Sequence, residues 1–436
     1  MKQDRQTITI APKTRWLLGL LLFLLLAQLV MPSRAWTILL LGLGGTLAFS
    51  YLWARQMAGK LEVIREQYYG WVHVGDLLEE RFTLRNNSFL PSLWVEVDDH
   101  SDLPGYSAQS VRVADGNQVV QWRTEGICRQ RGLFTLGPWQ VRTGDPLGFF
   151  QVTLDHPGSQ TILVYPPIVH LPALRLPRGA ATGAGRTSRR ALEVTTNAAG
   201  VRAYAPGDSI NRIHWRSTAR MDDLMVKTFD LEPSGDLWIV LDLDAAVQAG
   251  EGDESTEEYA VVLGASLSNR TLSQNRAVGL FAYGTTGPHG GAPEPLPILV
   301  MPQKGTAHQW RILHALATVR AGGNWPLARV LAEMNPNMGR GTTLAVITPS
   351  CDPEWIAGLL PPMRRGVTPT VVLLDPVSFG GQGNVEALTG LLAELGISSH
   401  LIPKGIPFRP IAEHKRIGRP EYKVLPGTGR VIVVEP

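Results

Sequence analysis

The sequence predicts a multi-domain chain: an N-terminal two-helix transmembrane hairpin, an all-β immunoglobulin-like sandwich and a C-terminal α/β domain. Three observations predict it. Two apolar runs near the N-terminus are separated only by Pro32-Ser33-Arg34; residues 61–170 alternate with period two between turn signals; and from Leu237 onward short apolar runs alternate with helical segments. A chain of 436 residues has room for two or three domains. The formal net charge of +3, without a long Lys or Arg run, argues against nucleic acid as a partner. The two cysteines, Cys128 and Cys351, exclude a disulfide framework and a cysteine-rich metal site, and read as buried free thiols in a reducing compartment.

Residues 1–15 read as a short cytoplasmic tail and residues 16–54 as the hairpin. Trp16 to Met31 is apolar but for Gln28, and Ala35 to Ala54 meets the ~20 residues that a helix needs to cross hydrocarbon. Pro32 and Ser33 supply the turn, and Gly42, Gly44 and Gly45 would let the helices approach closely. No small-x-small cleavage pattern follows Val30, so a signal peptide is disfavoured. Lys2, Arg5, Lys13 and Arg15 precede the first run, Arg55, Lys60 and Arg65 follow the second, and the loop holds only Arg34. The positive-inside rule then predicts a two-pass protein of the inner (plasma) membrane with both termini in the cytoplasm and the lipid bilayer as a partner.

In the stretch 61–170, Leu78, Phe82 and Leu84 share one parity, which Glu80 interrupts, and Leu93, Val95 and Val97 alternate against Trp94, Glu96 and Asp98. Turns fall at 85–88, 103–105, 115–117, 137–138 and 144–146, a spacing that argues for an immunoglobulin-like sandwich. Residues 171–199 read as a Pro/Gly/Arg linker. Its Gly-rich run lacks the lysine and the feeding strand of a phosphate loop.

Residues 200–232 form an arginine-rich stretch. Pro206-Gly207 is a turn pair, and Asp208 or Ser209 can cap a short helix running through Arg216 or beyond. The pattern Gly200-x-Arg202-x-Tyr204-x-Pro206-Gly207-Asp208, then Ile213-His214-Trp215, Ala219-Arg220 and Leu224-x-Val226-Lys227, resembles the signature of the bacterial "domain of unknown function 58" proteins. So do Arg131-Gly132-x-Phe134-x-Leu136-Gly137-Pro138 and Asp145-Pro146-Leu147-Gly148-x-Phe150. The resemblance implies a membrane-anchored protein associated with a MoxR-type AAA+ ATPase and carrying a von Willebrand factor A-like C-terminal domain. Arg202, Tyr204, Gly207, Asp208, His214, Trp215, Arg216, Arg220 and Lys227 are the candidate partner-binding or structural residues. His214 reads as packed or hydrogen-bonded rather than as an acid–base group.

Residues 233–436 read as the α/β domain. The apolar runs Leu237–Leu241, 277–283, 298–301, 344–347, 370–374 and 431–434 suit buried parallel strands, with helical segments between them. Asp242, Thr348 and Asp375 follow strands and would share one rim, where ligands of such sheets bind. A von Willebrand factor A-like domain often holds Mg²⁺ there through Asp-x-Ser-x-Ser and a distant Thr. This chain has Asp242-Leu-Asp244-Ala-Ala246 and Thr348-Pro349, a degenerate candidate site of Asp242, Asp244 and Thr348. The alternative role for these carboxylates is to cap the helix that follows. No Gly-x-Ser-x-Gly, His-Glu-x-x-His or phosphate-loop motif occurs. The expected function is therefore a non-enzymatic, membrane-anchored cytoplasmic scaffold or adaptor, docking a MoxR-type AAA+ ATPase or its clients. The alternatives are a divalent-cation-dependent ligand-binding module and a hydrolase.

Overall fold

The computed structural model describes residues 7–67, 71–171, 174, 198–204, 213–221, 223–229, 235–286, 296–334, 338, 341–405, 409–410, 421–424 and 431–434. Two helices, Trp16–Val30 and Arg34–Lys60, follow each other with only Met31-Pro32-Ser33 between them. The Ser33 hydroxyl caps the second helix by accepting from the Trp36 backbone N–H at 3.3 Å. Arg34–Lys60 is long and apolar enough to cross a membrane, whereas Trp16–Val30 is shorter. Of the three glycines expected to bring the helices together, only Gly44 faces the first helix. A Cβ there would lie 3.7 Å from Leu21, while Gly42 and Gly45 border open space.

Two boundaries differ from the sequence expectation. The second helix does not end at Ala54 but continues to Lys60, because Ser50, Ala54, Met57 and Ala58 are buried against the β region. Ala54 and Ala58 share a small core there with Val152, Ile10 and Phe150. Residues 7–12 are also not a tail. Thr7–Pro12 is an edge strand, paired antiparallel from Thr7↔Asp155 to Pro12↔Phe150. Its Thr-Ile-Thr-Ile alternation suits that place.

The mostly β region contains a five-stranded sheet in the order Thr7–Pro12, Phe150–His156, Trp139–Gly144, Ser92–Asp99, Ser110–Ala114. A second sheet joins Leu61–Gln67, Leu77–Asn86 and Val119–Ile127, and a third joins Trp71–His73, Gln160–Tyr165 and Gly132–Leu136. They share one core built on Phe82, Val95, Phe134, Val141, Leu154 and Ile162. Glu80, the break in the alternation, points into this core all the same. Its carboxylate accepts from Arg65 at 2.8 Å and from the Tyr106 hydroxyl, and Arg65 also pairs with Asp99 at 2.8 Å. Burying a carboxylate costs several kcal/mol unless it is paired, and Arg65 supplies the pair.

The C-terminal region is α/β. Its main sheet runs Leu296–Gln303, Val278–Thr286, Leu237–Leu241, Thr343–Thr348, Thr368–Leu374, Ser398–Ile402. The last five strands are parallel, with Leu237–Leu241 apolar and buried throughout, but Leu296–Gln303 is antiparallel to Val278–Thr286. The connection between those two strands is too short for the crossover that a parallel pair requires. Val431–Val434 lies outside the sheet, paired with Glu421–Val424. Helices Thr256–Ser273 and Thr306–Thr318 cover one core, and Leu327–Met334 and Val385–Glu394 the other.

The two regions are joined through charge. Arg131, from the β region, is fully buried: its Nε donates to Leu316 O at 3.0 Å, and its Nη2 to Val319 O and to Glu257, both at 2.8 Å. It also pairs with Glu258, to which Arg320 donates at 2.8 Å. The stretch expected to begin the linker is partly structural as well. Leu174 is buried in the α/β core, Leu171 packs against it, and Val169 N–H donates to Ser266 at 3.0 Å.

Candidate functional site

The signature stretch forms a two-stranded ribbon carrying a short helix. Ala198–Ala203 pairs antiparallel with Met225–Phe229, which places Arg202 opposite Val226 and Lys227 opposite Val201. The Tyr204 N–H donates to Leu224 O at 2.7 Å and continues the ribbon. Gly207 and Asp208 lie outside the described residues, as does the proposed Ser209 cap. The described helix spans Trp215–Met221.

His214 is the residue at its start. The imidazole Nδ1 accepts the Ser217 N–H at 3.2 Å and lies 2.7 Å from the Ser217 hydroxyl. This is the work of a helix cap, in which a side-chain acceptor satisfies one of the free N–H groups of the first turn. It requires Nδ1 without a proton, so the ring is engaged structurally. His214 N–H donates to Met225 O at 2.7 Å and Met225 N–H to the Thr218 hydroxyl at 3.0 Å, which pins the helix to the ribbon.

The pinned helix displays its largest side chains. Trp215 is 65% exposed, Met221 64%, and Arg216 and Arg220 are exposed beside them. Ordinary packing would bury an indole. Trp and Arg are the residues that most often anchor protein–protein contacts, since one supplies rigid apolar area and the other a planar fork of donors.

The rim of the α/β sheet brings Asp242, Asp244 and Thr348 together. Leu237–Leu241 and Thr343–Thr348 are adjacent and parallel in register, so their carboxyl ends meet. The Thr348 hydroxyl donates to Asp242 Oδ2 at 2.6 Å and accepts the Ser350 N–H at 2.9 Å. The Asp244 carboxylate caps the turn Ala245–Val247 by accepting from Ala246 N–H at 3.1 Å. Gln248, which carried no signal in the sequence, closes the circuit. Its amide donates to the Asp242 and Asp244 carbonyls at 3.0 and 3.3 Å and accepts from Thr256 at 2.7 Å. Asp375 follows Thr368–Leu374 and accepts the N–H of Val377 at 3.1 Å.

These residues do not fit a hydrated Mg²⁺. The ion takes six oxygens in an octahedron and keeps several waters. Here Asp242 is 1% and Asp244 5% exposed, leaving no open face for water. The Thr348 hydroxyl is turned to Asp242 and Ser350, Ala246 offers no side-chain oxygen, and among the described residues no three His, Cys, Asp or Glu converge. The electrostatics follow from the burial. Desolvation pushes the Asp242 carboxyl up to about 6, against the Thr348 and Asp244 hydrogen bonds that favour its charged form.

Residues 200–361 match the family model described as "Protein of unknown function DUF58". Among curated proteins, the uncharacterized protein YeaD of Bacillus subtilis is 25% identical over 60% of this chain. The uncharacterized protein Rv1480 of Mycobacterium tuberculosis is 26% identical over 46% of it. The chain spans 63% of the length of each of these relatives. Among solved structures, the human complex of Zinc 2-glycoprotein and Prolactin inducible protein matches 24% of this chain and 95% of its own, at 10% identity and a TM-score of 0.19. A CARDB domain from Pyrococcus furiosus matches 24% of this chain and 89% of its own, at 9% identity and a TM-score of 0.18. Both likenesses are too weak to bear on function.

Proposed function

Because the chain belongs to the DUF58 family, described without an activity, we propose that it is a membrane-anchored adaptor whose signature helix docks a cytoplasmic protein. The observation that carries this reading is the exposure of Trp215, Arg216 and Arg220 on a helix hydrogen-bonded to its ribbon. A contact surface pre-organised in this way loses little conformational freedom when a partner arrives.

Several features support the anchoring half. Arg34–Lys60 is long and apolar enough to cross a membrane. Thr7–Pro12, before the first helix, and Phe150–His156 belong to one sheet, so the chain leaves the β region and returns to it through the two helices. That geometry favours a two-pass hairpin with both ends on one side, and the flanking lysines and arginines favour the cytoplasm. In this reading the β region is an immunoglobulin-like sandwich acting as a spacer, and the C-terminal region is von Willebrand factor A-like. The family resemblance suggests a MoxR-type AAA+ ATPase as the partner.

The test uses the full chain solubilised in detergent, with the MoxR-type ATPase of its own organism in a pull-down. Wild type is expected to retain the ATPase, and Trp215→Ala with Arg216→Ala to lose it at an unchanged melting temperature. Equal retention by both, or none by wild type, would refute the adaptor reading. Topology is read separately, from a cysteine placed at the exposed Gln121. It should react with a membrane-impermeant maleimide only after the cells are opened.

A further inference from the structure

Beside the C-terminal end of the Arg34–Lys60 helix lies a groove of about 650 Å³, which nothing in the adaptor reading uses. One wall is a single helix face, since Phe49, Trp53 and Lys60 recur at helical spacing, with Leu52 and Arg55 alongside. The other wall is Phe89, 72% exposed at the tip of the loop between Leu77–Asn86 and Ser92–Asp99.

This loop is built rather than slack. The Asn86 amide donates to Leu90 O at 2.8 Å and Asp115 O at 3.0 Å, and its oxygen accepts the Ser88 N–H at 3.0 Å. Asn87 N–H donates to Lys60 O at 2.9 Å, tying the loop to the last turn of the helix. Gly116 packs so closely on the Phe89 backbone that a Cβ would lie 2.4 Å from the Phe89 carbonyl oxygen. Four hydrogen bonds and a glycine thus hold an exposed phenyl ring beside two cations. No acidic residue lines the groove, and the Trp53 indole N–H is buried without a hydrogen-bond partner.

Depth decides the occupant. The 27-residue helix is ~40 Å long, and hydrocarbon takes up ~30 Å of that. A span starting near Trp36 reaches the edge of the hydrocarbon near Gln56, which puts Phe49 about 10 Å inside it, Leu52 and Trp53 just inside, Arg55 at the boundary and Lys60 at the level of the phosphates. We propose that the groove binds an anionic phospholipid, with its phosphate on Arg55 and Lys60 and an acyl chain between Phe89 and the Phe49/Trp53 face. The inference rests on the reading that Arg34–Lys60 crosses a membrane. Lipid there sets how the β region stands on the bilayer.

The experiment titrates the full chain, purified in detergent, with phosphatidylglycerol or phosphatidylcholine and follows the first lipid adduct by native mass spectrometry. Wild type is expected to prefer phosphatidylglycerol. Arg55→Ala with Lys60→Ala should weaken that lipid roughly thirtyfold and leave phosphatidylcholine unchanged. Phe89→Ser should weaken both, because it removes the apolar wall. Both cations are exposed, so melting temperatures should match wild type. Glycerol phosphate, the headgroup without chains, should displace nothing. Equal binding of the two lipids, an unaffected double variant, or displacement by glycerol phosphate would each overturn the proposal. A chain that stays in solution without detergent overturns the membrane reading itself; one that needs detergent but shows no lipid preference overturns only the lipid site.

Discussion

Replacing Arg131 by methionine keeps most of the aliphatic bulk of the side chain and removes the guanidinium, which isolates the charge holding the β region to the α/β region. In the native protein this fully buried fork satisfies two backbone carbonyls, Leu316 and Val319, and two carboxylates, Glu257 and Glu258. The carbonyls end the Thr306–Thr318 helix, where negative partial charge accumulates and a cation is favourable. Without Arg131, the cation left to the two carboxylates among the described residues is Arg320, whose side chain is 31% exposed and therefore a weaker partner. Removing one partner of a buried pair costs about 3–5 kcal/mol, because the other charge stays buried and unpaired. For a domain of this size, each kcal/mol lowers the melting temperature by about 2–4 °C, so Arg131→Met is expected to lose roughly 6–20 °C. Arg131→Lys should recover only part of that, since an ammonium cannot serve four acceptors in a planar fork. Calorimetry of the detergent-solubilised chain gives the shift. Adding Glu257→Gln and Glu258→Gln to Arg131→Met should restore part of the loss by removing the stranded charges. A single variant within ~1 kcal/mol of wild type would show that the cluster does not join the regions as the geometry indicates.

Three further outcomes follow from the packing. Burial holds the Asp242 carboxyl at about 6, above its ordinary 3.8. Its contribution to stability is therefore fully present below about pH 4 and is lost as pH rises through 6, by roughly 3 kcal/mol. Asp242→Asn should flatten that part of a stability-against-pH curve and raise the melting temperature at neutral pH; a less stable variant there would contradict the assignment. Glu80→Ala should cost about 3–5 kcal/mol in denaturant unfolding by leaving Arg65 buried with an incomplete partner set, and Glu80→Gln only about 1–3. Gly279→Ala would drive a Cβ to 2.6 Å from the buried Trp238 ring and should destabilise by about 1–3 kcal/mol. Gly390→Ala, in the open on the Val385–Glu394 helix, should stabilise by about 0.5–1 kcal/mol. If the two alanines move the melting temperature in the same direction, the packing argument fails.

What was legible in the sequence is what local patterns encode. Apolar run length announced the Arg34–Lys60 helix, period-two alternation the β region, and continuous apolar runs the strands from Leu237 to Leu374. Even the break at Glu80 was visible, although its meaning was not. Its partners Arg65, Asp99 and Tyr106 come from other strands, and no local rule links them. The same holds for the rim, where Asp242 and Thr348 were placed together by strand order but Gln248 and Thr256 were invisible. Thr7–Pro12 could have been recognised from its alternation, yet only pairing with Phe150–His156 makes it a strand instead of a tail. Secondary structure answers to the spacing of side chains along the chain, which the sequence states outright. Buried charge and the joining of regions depend on which distant groups meet in a medium of low dielectric, where an unpaired group costs several kcal/mol. Arg131 is the plainest case: in the sequence one residue of a motif with no stated task, and in the folded protein the charge on which two regions close.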